Sequence, residues 1–145
     1  MRTGDLAIIQ RTVDLIEWYV PFLERLPAGH RHVLGKRIQE GLYDLLEALI
    51  LARYTPDDLE RLQRINAHLD VLRCQTRLLV TFQLLDQRRH EHVAGLINAV
   101  GVQLGGWIQH RRRRIHETAR EPVEHHHDLG QPVERSQRGT PGKAV

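Results

Sequence analysis

The sequence predicts an all-α fold, namely an antiparallel up-down-up-down four-helix bundle with a disordered C-terminal tail. In four segments, apolar residues recur at alternating steps of three and four, which is the period of an amphipathic helix. Aromatic residues make up only 5% of the chain, whereas a β-sandwich would be rich in aromatic and β-branched residues. The loops between the segments are short, and short loops join antiparallel neighbours in helix bundles.

The length of 145 residues suits one domain with a substantial core. We assign the bundle to residues 1–116. Residues 117–145 break the apolar pattern and carry few large apolar side chains, so they cannot bury enough surface to fold. They are expected to form a disordered tail.

The first helix is predicted over residues 3–25, and it carries two apolar stripes. A core-facing helix needs only one such stripe. We therefore expect this helix to bury two sides, the second of them against another subunit. The first stripe consists of Leu6, Ile9, Val13, Ile16, Val20 and Leu23. The second consists of Ile8, Leu15 and Phe22.

A start signal separates the second and third helices. Thr55 is the expected N-cap and Pro56 the first helical residue, followed by two acids in the first turn. The second helix is accordingly predicted over residues 30–54 and the third over residues 56–85. Their apolar stripes are Leu34, Ile38, Leu42, Leu45, Leu49 and Ala52, and then Leu59, Leu62, Ile65, Leu69, Leu72, Thr76 and Leu79.

Two arginines of the third helix, Arg73 and Arg77, lie one turn apart and next to apolar positions. Asp70 precedes Arg73 by three residues, and opposite charges at that spacing meet on a helix surface. These arginines either form ion pairs within the bundle or contact a ligand. The spacing leaves both roles open.

The fourth helix follows a turn at residues 86–89 and ends in the arginine run 111–114. Gly101, Gly105 and Gly106 should each weaken it by roughly 0.5–1 kcal/mol relative to alanine. Close approach of another helix is the simplest compensation. The apolar stripe consists of Val93, Ile97, Val100, Leu104 and Trp107.

The basic charge is concentrated late in the folded region. Residues 88–114 contain six arginines and one acid, whereas residues 115–145 contain four basic and five acidic residues. Of the 21 basic residues, 19 are arginine, which binds phosphate bidentately and stacks on bases. A codon usage that favours arginine explains the ratio equally well. The candidate nucleic-acid-binding residues are Arg37, Arg73, Arg77, Arg88, Arg89, Arg111, Arg112, Arg113 and Arg114.

No convergent set of nucleophile, base or metal ligands emerges, so the chain is not expected to be an enzyme. Cys74 is a lone cysteine in a predicted helix, where it usually serves as a small core residue. Glu40, Asp44 and Glu47 form an acidic face, without the Glu-x-x-His partner that a di-metal bundle needs. We expect no metal and no cofactor.

The single cysteine excludes an intrachain disulfide and fits a reducing compartment. No apolar run reaches the roughly 18 residues of a membrane span, and no charged-then-apolar leader opens the chain. A soluble, cytoplasmic protein without membrane contact is expected.

Three stretches resemble one family of small four-helix-bundle proteins. They are residues 34–52, residues 69–78 and, most specifically, residues 101–108 with the sequence GVQLGGWI. That family comprises the accessory variability determinant proteins of diversity-generating retroelements and the proteins encoded in intervening sequences of bacterial 23S ribosomal RNA genes. The resemblance covers about residues 6–115. Within it, we assign structural roles to Leu34, Gly35, Gly101, Gly105, Gly106 and Trp107.

The resemblance implies a ring-shaped homopentamer that partners the reverse transcriptase of the element and binds RNA or DNA. As a non-catalytic accessory protein, it would support the error-prone copying of a template RNA into cDNA. The ribosomal branch has no well-defined activity, so a structural homo-oligomer without a retroelement role is the alternative. The chain departs from the common pattern at Gln103, His110 and Arg111, without loss of positive charge.

Overall fold

The computed structural model describes residues 3–120, and four long helices account for most of them. The helices are α1 (Thr3–Glu24), α2 (Lys36–Ala52), α3 (Leu59–Thr81) and α4 (Gln87–Arg120). No strand occurs within these described residues. The all-α class and the four helices are therefore confirmed.

The end of α4 bears on the boundary between bundle and tail expected at residue 116, which stays a prediction. α4 continues to Arg120, four residues beyond the predicted end of the bundle at residue 116. Residues 117–120 can extend the helix because α4 already has a long hydrogen-bonded ladder, to which each added residue contributes one bond. The rest of the predicted tail, residues 121–145, lies outside the described residues.

The N-terminal side of α2 is extended by a single α-helical turn, Ala28–His30, and a π-helical turn, Arg31–Gly35. Gly35 is buried at this turn. A Cβ atom there would lie 3.3 Å from Leu26 Cδ1 and 3.4 Å from the carbonyl oxygen of His30. Glycine therefore allows Leu26 to pack against the turn, and the helical path begins two residues before the predicted start.

Each of the four helices contributes one buried stripe to a single core. α2, α3 and α4 bury the predicted stripes with small shifts at their ends. Leu34 and Leu59 are half-buried, and Ile108 rather than Trp107 is the last buried residue of α4. The buried apolar residues of these three helices are Ile38, Leu42, Leu45, Leu49, Ala52, Leu62, Ile65, Leu69, Leu72, Leu79, Val93, Ile97, Val100, Leu104 and Ile108.

The core face of α1 differs from the prediction. Leu6 is 49% exposed, and the first predicted stripe is otherwise half-buried apart from Leu23. Thr12 and Tyr19 lie outside both predicted stripes, yet both are buried. Thr12 Oγ1 donates a hydrogen bond to its own helix, at the carbonyl oxygen of Ile8 (2.8 Å), so its burial leaves no unpaired hydroxyl. The buried face consists of Ile8, Thr12, Leu15, Tyr19 and Leu23.

A buried hydrogen bond joins α1 to α3, with 2.8 Å between Tyr19 OH and Thr76 Oγ1. Thr76 Oγ1 also donates to the carbonyl oxygen of Leu72 at 2.8 Å. Because a hydroxyl has one hydrogen, Tyr19 is the donor and Thr76 the acceptor of the bond between the helices. Loss of Thr76 would leave the buried hydroxyl of Tyr19 unpaired, which costs about 1–3 kcal/mol. The bond therefore restricts how α1 and α3 lie against each other.

Contacts between helix ends favour an antiparallel arrangement of neighbouring helices. The complete up-down-up-down topology stays a prediction. Trp18, near the end of α1, has its ring centroid 5.4 Å from that of His92, near the start of α4. Arg111, near the end of α4, pairs with Asp57 just before α3. In both contacts, opposite ends of two helices meet, as antiparallel neighbours require.

Two aspartates set the starts of α3 and α4. Asp58, rather than the predicted Thr55, caps α3, because its Oδ1 accepts a hydrogen bond from the backbone N–H of Arg61 at 3.0 Å. Thr55 Oγ1 instead accepts a hydrogen bond from the Arg61 guanidinium at 2.8 Å. At the start of α4, Asp86 Oδ1 accepts from the backbone N–H of Arg89 at 2.8 Å.

The buried phenol makes stability depend on pH in the alkaline range. Burial raises the pKa of Tyr19 from 10.0 to about 12, because the phenolate would lose its hydration. The folded state thus keeps its proton where the unfolded chain has lost it. Stability from this residue is fully present below about pH 10 and falls by roughly 2–3 kcal/mol as the pH rises to about 12.

Urea unfolding at several pH values between about 9 and 12 measures this loss. Tyr19→Phe should lower the free energy of unfolding by roughly 1 kcal/mol near neutral pH, because the buried hydrogen bond is lost. The variant should not show the further loss of stability that ionisation of Tyr19 causes at alkaline pH. Equal alkaline losses in the two proteins would contradict the assignment.

Candidate nucleic-acid interface

The structure distributes the predicted arginines over several places on the surface. Arg73 and Arg77 share one cleft between α3 and α4. Arg88 and Arg89 line a second cleft at the start of α4. Residues 111–114 lie near the other end of α4, about 33 Å from Arg89 at 1.5 Å per helical residue. Arg37 is exposed on α2.

The cleft between α3 and α4, hereafter the central cleft, has a volume of about 390 Å³. Among residues 3–120, its walls carry two guanidinium groups, an imidazole, an amide and a hydroxyl, and no carboxylate. The hydroxyl of Thr76 is already engaged with Tyr19 and Leu72. The lining residues are Arg73, Thr76, Arg77, His90, Ala94, Ile97 and Asn98.

Arg73 is held in place from two directions. Its Nη1 donates a hydrogen bond to Asp70 Oδ1 at 2.8 Å, so the ion pair predicted from the sequence is present. Its Nη2 reaches α4, where a Cβ built on Gly101 would lie only 2.6 Å away. Gly101 thus leaves the space that the guanidinium of Arg73 occupies against the backbone of α4.

Arg77 is the more available cation of the central cleft. Its side chain is exposed, and its Nη2 donates to the sulfur of Cys74 at 3.2 Å. Neutral sulfur is a weak acceptor. The residue forms no ion pair within the described range 3–120. Most of its hydrogen-bonding capacity therefore remains for an anion from solution.

Arg89 and Arg88 differ at the start of α4. Asp86 holds Arg89 through both its backbone N–H (2.8 Å) and its guanidinium (3.2 Å), which makes Arg89 part of the helix start. Arg88 is exposed in the same cleft, beside Trp18 and His92. Of these two predicted candidates, Arg88 is the better placed for phosphate.

The arginine run of α4 is not uniform. The side chain of Arg111 is only 11% exposed and is paired with Asp57. Arg112, Arg113 and Arg114 are exposed. Arg111 therefore ties α4 to the loop before α3, whereas its three neighbours place their charge in solvent.

The glycines that the sequence grouped together have different surroundings. A Cβ on Gly101 would meet Arg73, whereas a Cβ on Gly105 or Gly106 would meet nothing within 4 Å. The intrachain close approach expected at Gly105 and Gly106 is thus not found. Trp107, which follows them, is half-buried and packs against the core.

Sequence reasoning missed His90 and Asn98 as lining residues of the central cleft. The helical spacing could have indicated them, because residues 90, 94, 97 and 98 follow the three–four rule along one border of α4. The pattern alone does not show which border of α4 faces α3. Among residues 3–120, no group of three or more His, Cys, Asp or Glu side chains is placed to hold a metal ion.

A family model described as bAvd-like matches residues 6–111, which include the central cleft and the whole core. The chain belongs to the bAvd-like family. The match agrees with the resemblance to accessory variability determinant proteins, and such proteins are accessory rather than catalytic. A comparison with curated proteins gives no match. In the described part of this bAvd-like chain, no helix is both long and apolar enough to cross a membrane.

Replacing two glycines of α4 separates helix propensity from the space needed by Arg73. Gly95→Ala should stabilise the protein by roughly 0.5–1 kcal/mol, because a Cβ at Gly95 meets nothing within 4 Å. Gly101→Ala should gain less, because a Cβ there requires the guanidinium end of the Arg73 side chain to move aside. Thermal unfolding of both variants measures the difference, and an equal gain would contradict the assigned role of Gly101.

Proposed function

We propose that this chain is a non-catalytic accessory protein of a diversity-generating retroelement. It binds the reverse transcriptase of the element and its RNA or cDNA during mutagenic retrohoming, and it acts in the cytoplasm. The observation that carries the proposal is the central cleft. Two arginines converge there without a carboxylate in the lining, in a chain whose family is bAvd-like.

Phosphate is the ligand group that best fits the central cleft. Guanidinium groups bind phosphate oxygens through charge-assisted hydrogen bonds. Asp70 occupies only Nη1 of Arg73, and Arg77 has no ion pair with a described residue. Such contacts position a nucleic acid without reading its bases, so we expect little sequence preference and a strong dependence on salt.

The proposal includes a ring-shaped homopentamer of up-down-up-down bundles. A ring repeats the central cleft and the exposed arginines of α4 once per subunit, which multiplies weak phosphate contacts and concentrates positive potential. The partly exposed apolar residues of α1 supply a surface for self-association, among them Leu6, Ile9, Val13 and Ile16. The same surface also suits the alternative function, a structural homo-oligomer of the 23S intervening-sequence type.

Two variants of α3 test the nucleic-acid part of the proposal. Arg77→Gln removes an unpaired cleft cation, and Arg64→Gln removes an exposed arginine that already pairs with Glu60 at 3.3 Å. We expect Arg77→Gln to weaken binding of labelled single-stranded RNA or DNA at least about tenfold at low salt. Arg64→Gln should change it less than about twofold.

Fluorescence anisotropy at about 50 and about 200 mM salt measures both effects, and the affinity of the wild-type protein should fall steeply between them. Absence of binding by the wild-type protein at low salt would refute the nucleic-acid hypothesis. Equal effects of the two substitutions would refute the role of the central cleft.

The gene neighbourhood and the oligomeric mass test the remaining parts. A reverse transcriptase gene with paired template and variable repeats is expected next to this gene. A location inside a 23S ribosomal RNA gene would instead support the alternative. Light scattering should give five times the mass of the 16.9 kDa chain, and a monomeric mass would exclude the ring.

A further inference from the structure

A second cationic site lies at the opposite end of the bundle from the start of α4. This site, hereafter the end pocket, has a volume of about 250 Å³. It is built by the start of α1, the residue that follows α2 and the last core turns of α4. Its principal lining residues are Asp5, Arg53, Trp107, His110, Arg111 and Arg114.

Two buried hydrogen-bond donors at the end pocket find no acceptor in the part of the chain that the structure describes. The Nε atoms of Arg53 and Arg111 are both buried and have no hydrogen-bond partner among the described residues. Asp57 engages Nη2 of Arg111 but leaves its Nε unpaired. Buried charged donors without an acceptor are costly and rare. An anion in the pocket would supply the missing acceptors.

The charge balance of the end pocket favours an anion. The guanidinium groups of Arg53, Arg111 and Arg114 outnumber the two nearby carboxylates, Asp5 and Asp57. Arg114 is exposed and can move towards a ligand. The volume lies just below the roughly 300–1,000 Å³ of pockets that enclose whole drug-sized molecules. It suits a phosphate group and part of one nucleotide.

Trp107 distinguishes among anions. Its indole lines the end pocket and is half-buried. Unpaired bases stack on aromatic side chains in single-stranded nucleic acids, whereas the bases of a duplex are not available for stacking. An acidic peptide could pair with the arginines but would leave the indole unused. The exposed charges of Arg112 and Arg113 extend from the pocket along α4, where the backbone of a strand could continue.

We propose that the end pocket binds one phosphate group of a single-stranded nucleic acid, with the adjoining base packed against Trp107. Arg53 and Arg111 would donate to the phosphate through their Nε atoms. The proposal rests on the proposed nucleic-acid-binding function and adds a site for an unpaired nucleotide, far from the central cleft.

The test uses the full chain carrying Trp18→Phe, which leaves Trp107 as its only tryptophan. A phenylalanine at this position keeps an aromatic ring next to Phe22. The probe is an unlabelled single-stranded trinucleotide with a 5′-phosphate. We expect it to quench the fluorescence of Trp107, because a stacked base quenches an indole. Inorganic phosphate should compete with the trinucleotide without comparable quenching, which separates the phosphate from the base.

Matched substitutions identify the pocket. Arg53→Gln should weaken the quenching titration about tenfold or more, with an unchanged far-ultraviolet circular dichroism spectrum as the check on folding. Asp5→Asn should strengthen it by about threefold, and a gain in affinity cannot arise from misfolding. Arg64→Gln, which removes an exposed arginine paired with Glu60 outside both cationic sites, should leave the trinucleotide titration unchanged.

Several results would overturn the proposal. They are an absence of quenching, an unchanged titration in Arg53→Gln, and equal quenching by an oligoglutamate peptide, which would indicate an acidic protein partner. If quenching is absent while longer RNA still binds in an Arg77-dependent manner, the end pocket is refuted and the proposed function stands. If longer RNA also fails to bind, the proposed function fails as well.

Discussion

The buried hydrogen bond between Tyr19 and Thr76 is the constraint on which the placement of α3 depends. Apolar stripes hold helices together, but they tolerate repacking and do not by themselves select one arrangement. A buried hydroxyl pair has a single favourable geometry, here with 2.8 Å between the oxygens. A rotation or slip of α3 against α1 would leave the buried hydroxyl of Tyr19 unpaired, whereas Thr76 would keep its bond to Leu72. The bond thus adds specificity to a core that is otherwise almost entirely apolar.

That constraint extends to the surface through α3 itself. Arg73 and Arg77 lie on one side of Thr76, given the 3.6-residue turn of a helix. When Thr76 faces Tyr19, the two arginines lie at the border with α4, and Thr76 also lines the central cleft. Gly101 completes the arrangement by leaving room for the guanidinium of Arg73. The orientation of α3 that forms the hydrogen bond between Tyr19 and Thr76 therefore also places Arg73 and Arg77 in the central cleft.

α4 borders both cationic sites. Near its start it lines the central cleft, and near its end Trp107 and Arg111 line the end pocket. Its buried stripe runs between them, so the two sites are held at a set separation by one rigid helix. A single strand that contacts both sites would have to follow the outside of the bundle. Because the helix is rigid, the two sites are preorganised at a fixed distance, and less conformational freedom has to be lost in the protein when a strand binds to both.

The spacing of residues along the sequence was sufficient to predict the four helices, the buried stripes of α2 to α4 and the ion pair between Asp70 and Arg73. Each of these depends on residues within one or two helical turns, and the period of the helix determines which of them meet. It was also sufficient to single out Arg73, Arg77 and Trp107, although not to assign Trp107 to a pocket. The family followed from the short motif at residues 101–108 together with the helical patterns.

Only the tertiary structure decided the core face of α1, the capping of α3 by Asp58, the burial of Arg111 and the partners of the glycines. For Tyr19, Arg111 and Gly101, the deciding partner lies on another helix or in a loop. Asp58 instead accepts from the backbone N–H of Arg61, three residues further along the chain. Tyr19 is buried where Thr76 accepts a hydrogen bond from its hydroxyl across the core, and Arg111 is buried where Asp57 pairs with it. The hydrophobic pattern of α1 included neither Thr12 nor Tyr19 in its stripes, because the pattern does not show which hydroxyl groups find a partner in the core. The sequence by itself determined which helices form, and long-range pairing of polar groups decided how they face one another.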